Sequence, residues 1–405
     1  MSGDTAVTTA PPPRVRATPR RVLGIAVAVV LTGGLLTWLA PQVLPVRVIE
    51  GPLVQMTGPD HATIVWFTSK SADCSLERTA PPAAAEYRRI GRRHVGVFRD
   101  LEPGEAVPYA IRSGERILFA DRVRAPRRGR EPFSFLIFGD SGRGNAEQYR
   151  LARVMTECTP DFLVHTGDLV YGDGARGDYA EKFFRPYRDL LARVPFWPCL
   201  GNHDVSEPHE GQPYRDVFEL PANGPAGRPP ENDYWFDYQD ARFVVLDSNV
   251  GEDVLRDTIA PWLVAAFERA PLPRWRFVSL HHPAYSVGKH GDEGRVQRTL
   301  VPAFEAANVD IVFCGHDHHY QRTRPMIGGK TAPDERGVTY VVTGAGGAGL
   351  YRLRPREEWP DYFVTANNEK HSFTHATIAG DSLAIRQIDI DGATIDEFNI
   401  TKSVE

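Results

Sequence analysis

The hydrophobic pattern divides the chain into three parts. Residues 22–40 (VLGIAVAVVLTGGLLTWLA) carry no charge and show no polar face. Residues 46–124 alternate between apolar and polar positions, as half-buried strands do, and contain no helical period. From residue 133 to residue 405, apolar strands alternate with amphipathic helices, which predicts an α/β layer fold. The basic stretch 125–132 (APRRGREP) reads as the linker between the last two parts.

The uncharged run follows a tail that contains Arg14, Arg16, Arg20 and Arg21. A helix needs about 20 apolar residues to cross a bilayer, and positive charge stays on the cytoplasmic side. We therefore expect residues 1–21 to be a basic cytoplasmic tail and residues 22–40 to be a transmembrane signal anchor or a signal peptide. The rest of the chain is then extracytoplasmic, either membrane-anchored or secreted.

The pattern also predicts individual elements of the α/β part. The runs FSFLIF, FLVH, FWPCL, RFVVL, RFVSL and DIVFC read as strands, and residues 372–400 return to strands. Helices are expected over 145–158, opened by Asn145, and over 178–194, with Asp178 as N-cap. The stretch 205–233 is rich in Pro and Gly and is a candidate substrate-facing loop.

Composition adds limits on function. A chain of 405 residues favours two folded units. The net charge of -5 gives no basic face of the kind that a nucleic-acid binder needs, so a small-molecule partner is expected. The oligomeric state stays open.

Potential metal ligands recur where predicted strands end. Each of five such residues follows a separate apolar strand, and two more lie close by: Asp140, Asp168, Asn202, His281 and His316, with Tyr171 and His318. Side chains at the carboxyl ends of strands in an open α/β sheet converge. Any one of these residues alone would read as a turn, cap or surface residue. Together they make an oxygen- and nitrogen-rich set that suits two cations sharing one carboxylate.

The ordered motifs FGDSG, GDLVY, GNHD, VSLHH and GHDHHY resemble the purple acid phosphatase branch of the calcineurin-like metallophosphoesterases. The stretch GPLVQMTGPDHATIVWFTS resembles the fibronectin type III-like domain that precedes the catalytic domain in that family. Many relatives outside this branch begin with D-x-H, whose histidine binds the first metal, and here that position is Gly142. The resemblance implies a catalytic β-sandwich of two sheets flanked by helices, preceded by a small all-β fibronectin-like sandwich.

The resemblance also implies roles for these residues. The first metal, expected to be Fe(III), would take Asp140, Asp168, Tyr171 and His318. The second, expected to be Zn(II), Mn(II) or Fe(II), would take Asp168, Asn202, His281 and His316. His203 and His290 are candidate catalytic residues that contact the phosphate or protonate the leaving oxygen.

The expected function is therefore hydrolysis of small phosphate monoesters by a metal-bound hydroxide. A phosphodiesterase or a nucleotide-hydrolysing enzyme with the same metals is the alternative within this chemistry. A non-catalytic surface-binding protein on the same fold is the alternative of another class.

Overall fold

The computed structural model describes residues 44–58, 60–127, 129–333 and 336–403. The predicted cytoplasmic tail and the apolar segment 22–40 lie outside these residues. Within the described ranges, no helix is long and apolar enough to span a bilayer. The chain from Val48 onward forms one compact unit.

The first part of this unit consists of two four-stranded antiparallel sheets. One sheet has the strand order β1 (Val48–Gly58), β2 (His61–Thr68), β6 (Arg93–Phe98), β5 (Glu86–Ile90), and the other has the order β4 (Pro82–Ala84), β3 (Ser75–Thr79), β7 (Ala106–Ser113), β8 (Arg116–Arg124). Buried side chains from both sheets share one core around Trp66. We call this part the small sandwich.

The small sandwich packs directly on the larger α/β part. Leu53, Val65 and Phe67 belong to the same buried cluster as the larger part's strands. The hydroxyl of Tyr109 donates a hydrogen bond of 2.9 Å to the carbonyl oxygen of Ala192 in that part. Because Leu53, Val65 and Phe67 bury apolar surface against the larger part, the two parts are joined by packing as well as by the linker.

The larger part contains a six-stranded and a seven-stranded sheet. The first has the order β11 (Phe196–Pro198), β10 (Phe162–His165), β9 (Phe133–Phe138), β21 (Ser372–Ala379), β22 (Ser382–Asp389), β23 (Thr394–Thr401), and the second has the order β12 (Tyr234–Tyr238), β13 (Ala241–Val245), β14 (Trp275–Ser279), β15 (Ile311–Cys314), β19 (Thr339–Thr343), β16 (Tyr320–Thr323), β20 (Phe363–Asn367). A two-stranded ribbon, β17 (Met326–Ile327) and β18 (Lys330–Thr331), completes the strands.

The two sheets meet through aromatic side chains. Phe135 of β9 contacts Phe243 of β13 edge-to-face, with ring centroids 5.0 Å apart, and Phe162 of β10 does the same at 5.3 Å. Such pairs bury large apolar areas and fix the approach of two layers. Strands β9, β10 and β11 are mutually parallel, as are β13, β14, β15 and β19. Their carboxyl ends therefore share one edge of each sheet.

Helices cover the outer faces. They are α1 (Ala146–Glu157), α2 (Arg188–Leu191), α3 (Gln212–Val217), α4 (Glu252–Val254), α5 (Ala260–Glu268), α6 (Gly294–Thr299) and α7 (Val301–Ala306), with 3₁₀ turns at Arg176–Asp178 and Arg356–Glu358 and π-helical turns at Ala180–Phe184 and Leu255–Ile259. Helices α5 to α7 pack on alternate residues of β13, β14 and β15 in one buried cluster. The result is a mixed α/β fold with two central sheets.

Two helix predictions had different outcomes. Asn145 caps α1 as predicted, because its side-chain oxygen accepts from the backbone N–H of Gln148 at 3.1 Å. The predicted helix over 178–194 is confirmed only in part: a π-helical turn (Ala180–Phe184) and a short α-helix (Arg188–Leu191) lie within it, with non-helical turns between and after them. Asp178 is not an N-cap, since its carboxylate binds the ammonium of Lys182 at 2.6 Å instead.

Candidate metal centre

The seven predicted ligands lie together at the carboxyl edges of the two sheets. Asp140 and Asp168 follow β9 and β10, and Asn202 follows β11. His281 and His316 follow β14 and β15 of the other sheet. The site therefore lies where the carboxyl ends of both sheets meet, as expected for an α/β fold.

Three of these residues have strained backbones. Asp140, Asp168 and His316 have φ angles of 56°, 59° and 69°, in the left-handed region that side chains other than glycine rarely adopt. Each such residue costs on the order of 1–3 kcal/mol. This strain is concentrated at the ends of strands β9, β10 and β15, where the chain turns its ligands toward one point.

Glycines beside the ligands leave no room for a side chain. A Cβ on Gly142 would lie 2.0 Å from the carbonyl oxygen of Leu169, so a histidine cannot occupy this position without moving the backbone. A Cβ on Gly315 would lie 2.4 Å from Oδ2 of Asp140. The phenol of Tyr171 instead reaches the ligand cluster. The backbone N–H of Tyr171 donates to the carbonyl oxygen of Gly142 at 2.9 Å.

One group of ligands gathers around the phenol of Tyr171. Its oxygen lies 2.7 Å from Nε2 of His318 and 3.3 Å from Oδ1 of Asp140. All three side chains are buried. Burial, followed by the charges of Asp140 and Asp168, raises the pKa of Tyr171 well above its usual value. This phenol therefore stays protonated unless a strong Lewis acid replaces its proton.

A second group gathers around the amide oxygen of Asn202. It lies 3.0 Å from Nε2 of His281 and 2.9 Å from Nδ1 of His316. The two ring nitrogens are 3.2 Å apart. Oδ1 of Asp168 lies 3.5 Å from the same Nε2 of His281. Asp140, Asp168 and His281 each offer one atom to a cluster whose members lie within 4.8 Å of one another, which can hold a metal ion.

Hydrogen bonds fix which nitrogens face the cluster. Nδ1 of His281 bonds to the carbonyl oxygen of Thr166, and Nδ1 of His318 bonds to that of Gly349, each at 2.8 Å. A carbonyl oxygen only accepts, so both rings carry a proton on Nδ1. Burial lowers the pKa of His281, and it lowers that of His318 to about 4. Neutral rings thus direct the lone pair of Nε2 into the cluster, the arrangement in which histidine ligates metals.

The carboxylates add negative charge to a buried site. Burial and the nearby charge of Asp168 raise the pKa of Asp140. Two buried carboxylates facing neutral imidazole lone pairs are unfavourable without a cation. The donor set therefore fits one or more metal ions, with neutral nitrogens, an amide oxygen, a phenol and two carboxylates as ligands.

The two histidines predicted to be catalytic lie at the edge of this cluster. The ring of His203 is 4.7 Å from that of Tyr171, and its Nδ1 lies 2.7 Å from the carbonyl oxygen of Gly172. The ring of His290 is 4.1 Å from that of His316, and the His290 side chain is exposed. Both are close enough to reach a molecule bound at the cluster.

Sequence reasoning missed three further residues beside the cluster. Tyr351 stacks on the ring of His318 with centroids 3.9 Å apart. The ammonium of Lys289 lies 4.4 Å from the ring centroid of Tyr351, and the guanidinium of Arg143 lies 4.3 Å from that of Tyr171. These residues come from loops, and no motif marks them.

Known proteins resemble this chain at low identity. Residues 133–320 match the family described as calcineurin-like phosphoesterase. Purple acid phosphatase 18 of Arabidopsis thaliana is 26% identical over 332 residues, which cover 76% of this chain and 74% of the relative. Probable inactive purple acid phosphatase 27 of the same plant is 24% identical over 324 residues, covering 67% of this chain, and the chain spans only 52% of that relative's length.

A solved structure supports the same fold. The purple acid phosphatase from seeds of yellow lupin (Lupinus luteus) superposes with a TM-score of 0.76 at 18% identity, covering 86% of this chain and 74% of that chain. The protein thus has the mixed α/β fold of metallophosphoesterases. Its residues 133–320 match the calcineurin-like phosphoesterase family, and the chain is similar at low identity to purple acid phosphatases.

Proposed function

We propose that this protein is a dinuclear metal-dependent hydrolase of phosphate monoesters. The observation that carries the proposal is that the donor atoms of seven buried or half-buried side chains lie in two neighbouring groups, one around Tyr171 and one around Asn202. The relationship to purple acid phosphatases supports a phosphoester substrate and metal binding.

Each group of ligands would hold one cation. The first would comprise Asp140, Asp168, Tyr171 and His318, and the second would comprise Asp168, Asn202, His281 and His316. Because the pKa of the Tyr171 phenol is raised, its deprotonation needs a strongly acidic ion, which favours Fe(III) in the first group. Zn(II), Mn(II) or Fe(II) would suit the second group. With one cation in each group, the two cations would polarise a phosphoryl group and acidify a water molecule.

The protein's own residues would orient and protonate the substrate. The backbone N–H of His203 donates to Oδ1 of Asp168 at 3.0 Å, so the His203 ring keeps a fixed position beside the shared carboxylate. With Nδ1 directed at Gly172, Nε2 is left to meet a phosphoryl or leaving-group oxygen. His290 is held by its backbone N–H, which donates to Asp317 at 3.0 Å, and would contact the substrate from the opposite loop.

The location of the enzyme rests on residues 1–40 alone. We expect residues 22–40 to direct the chain to the membrane, so that the catalytic part works outside the cytoplasm. The small sandwich, which we expect to be fibronectin type III-like, would then separate the catalytic part from the membrane. Protease accessibility in intact cells tests this arrangement, because a chain protected from external protease would contradict it.

An absorption spectrum with metal analysis tests the first group of ligands. Purified protein should show a visible tyrosinate-to-Fe(III) band that Tyr171→Phe abolishes. Tyr149→Phe is the matched control, since Tyr149 is exposed on α1. A colourless protein that holds two divalent ions would refute the iron–tyrosinate assignment.

Substrate comparison tests the reaction. Hydrolysis of p-nitrophenyl phosphate should exceed that of bis(p-nitrophenyl) phosphate, and Asp168→Asn should abolish it. The reverse preference would favour a phosphodiesterase. A protein with full metal occupancy and no hydrolysis would refute catalysis and favour a binding protein on the same fold.

A further inference from the structure

Two cationic side chains flank the candidate metal centre without carboxylate partners. Arg143 and Lys289 are both exposed, and neither makes an ion pair with any residue in the described ranges. Most other arginines near the two sheets do have such partners; Arg228, for example, pairs with Asp233 and Asp247. Unpaired cations beside a site for an anionic substrate are candidates for binding that substrate.

Both cations are held on aromatic rings at the cluster. The guanidinium of Arg143 lies over the ring of Tyr171, and the ammonium of Lys289 lies over the ring of Tyr351. Tyr171 and Tyr351 both contact His318, the first by its hydroxyl and the second by stacking. Each cation is therefore separated from His318 by one aromatic ring.

Tyr351 lies between Lys289 and His318. Its ring has His318 stacked at 3.9 Å, so Lys289 must occupy the opposite face. The Tyr351 hydroxyl makes no hydrogen bond within the part of the chain that the structure describes, so it is available as a donor.

The position of these groups distinguishes them from the residues that would hold the scissile phosphoryl group. That group would lie on the ligands themselves, next to His203 and His290. Arg143 and Lys289 lie one ring farther out, so their charges reach beyond the scissile phosphoryl group. A guanidinium, an ammonium and a phenolic donor around one site match phosphoryl or carboxylate oxygens.

We propose that Arg143, Lys289 and the Tyr351 hydroxyl bind a second anionic group on the leaving part of the substrate. The preferred substrates are phosphoesters or phosphoanhydrides that carry a further phosphoryl or carboxylate group. This inference rests on the proposed function and narrows its substrate class.

Three substrates test the inference with the full chain in its metal-loaded form. Phenyl phosphate has no second anion, 4-carboxyphenyl phosphate has a carboxylate, and ADP has a second phosphoryl group. For each variant, kcat/KM on 4-carboxyphenyl phosphate and kcat/KM on ADP are each divided by kcat/KM on phenyl phosphate. Released phosphate is measured for all three substrates. A fall in the ratio for ADP alone identifies a phosphoryl group as the second anion, and a fall for 4-carboxyphenyl phosphate alone identifies a carboxylate.

Arg143→Gln and Lys289→Gln should each lower at least one ratio about tenfold, as expected for loss of a charge-assisted hydrogen bond. Tyr351→Phe should lower it about fivefold, as expected for a neutral donor. The loss should shrink as ionic strength rises, because exposed charges are screened. Arg153→Gln removes an exposed charge from α1 and should leave both ratios unchanged.

Equal losses on all three substrates would overturn the inference, because they would place Arg143 and Lys289 on the scissile phosphoryl group. Unchanged ratios in both charge variants would also overturn it. Failure of the proposed function is distinct: the wild-type protein would then hydrolyse none of the three substrates. Binding of imidodiphosphate, measured by calorimetry, gives a readout without turnover and should weaken in the same variants.

Discussion

The carboxylate of Asp204 holds together two of the loops that carry metal ligands. It is buried, and its two oxygens accept from the backbone N–H groups of Leu169 at 3.0 Å, Val170 at 3.2 Å and Gly201 at 2.9 Å. Leu169 follows Asp168, and Gly201 precedes Asn202. Replacing Asp204 should therefore loosen both loops at once.

The size of the effect follows from the hydrogen-bonding capacity of the replacement. In Asp204→Asn, the amide oxygen can still accept from Leu169 and Val170, but the amide nitrogen faces the N–H of Gly201 and has no lone pair for it. This holds whether or not Asp204 is protonated, although burial and Asp168 raise its pKa to about 8. One buried N–H is left unsatisfied, which should cost about 2 kcal/mol. Asp204→Ala leaves three N–H groups unsatisfied and, at the same cost for each, should cost about 6 kcal/mol.

Urea unfolding of the metal-free protein, followed by tryptophan fluorescence, measures these losses. Asp173→Asn is the matched control: its carboxyl is half exposed and lies 3.6 Å from His209, so its loss should change the unfolding free energy by less than about 1 kcal/mol. In the metal-loaded enzyme, kcat/KM should fall roughly 10- to 100-fold in Asp204→Asn, because the ligands lose their spacing. If Asp204→Asn unfolded at the same urea concentration as the wild type, the reasoning about the unsatisfied N–H would be refuted.

Three further predictions follow from single contacts. Gly315→Ala should displace Asp140, since the new Cβ would lie 2.4 Å from Oδ2 of Asp140. Metal analysis should then find a reduced metal content, and activity should fall at least tenfold. A normal metal content would contradict this prediction. Tyr109→Phe should lower the unfolding free energy by about 1 kcal/mol, because the buried carbonyl of Ala192 loses its donor; no change would mean that water replaces the hydroxyl. Burial lowers the pKa of His94 to about 4 in the folded state. Between about pH 6.5 and pH 4, His94 is therefore protonated in the unfolded chain and neutral in the folded protein. The unfolding free energy should therefore fall as pH drops from 6.5 toward 4, and His94→Gln should weaken this dependence, whereas an unchanged pH profile would show that other groups cause it.

Much of the candidate site could be predicted because its residues follow strands. Apolar runs place β9, β10, β14 and β15, and the turn after a parallel strand leaves little choice of direction for the next side chain. This is why Asp140 and His316, far apart in sequence, could be expected to meet. In the structure, the backbone N–H of His316 donates to both oxygens of Asp140 at 3.0 Å.

The parts that failed or were missed depend on the path of the chain through space. Asp178 resembles an N-cap in sequence, but its carboxylate pairs with the ammonium of Lys182 one turn away and caps no helix. Tyr351 reaches His318 from a loop whose path no local pattern determines. The carbonyl oxygens of Thr166 and Gly349, which orient two histidines, are backbone groups and leave no trace in residue type.

The insertion 205–233 shows the same limit. Its lack of periodicity suggested a loop facing the substrate. Glu219 within it pairs with Arg93 of the small sandwich at 2.7 Å, and the backbone N–H of Glu219 donates to the side-chain oxygen of Gln55 at 2.7 Å. Farther along, Arg228 joins Asp233 of the insertion to Asp247 after β13. These contacts hold Glu219, Arg228 and Asp233 against the rest of the fold, and the first residues of the insertion follow closely after His203 in sequence.

In the metal-free protein, the arrangement of the ligand cluster lowers the stability of the fold. Asp140 and Asp168 have strained backbones, both carboxyls are buried, and neutral imidazole lone pairs face them. None of these features stabilises the fold, so other contacts must hold them in place. Asp204 holds the loops, and the carbonyl oxygens of Thr166 and Gly349 hold the imidazoles. A pre-formed site of this kind becomes favourable only when a cation binds to it. The cost of the metal-free cluster to the stability of the fold is therefore the strongest physical argument that the cluster binds metal ions.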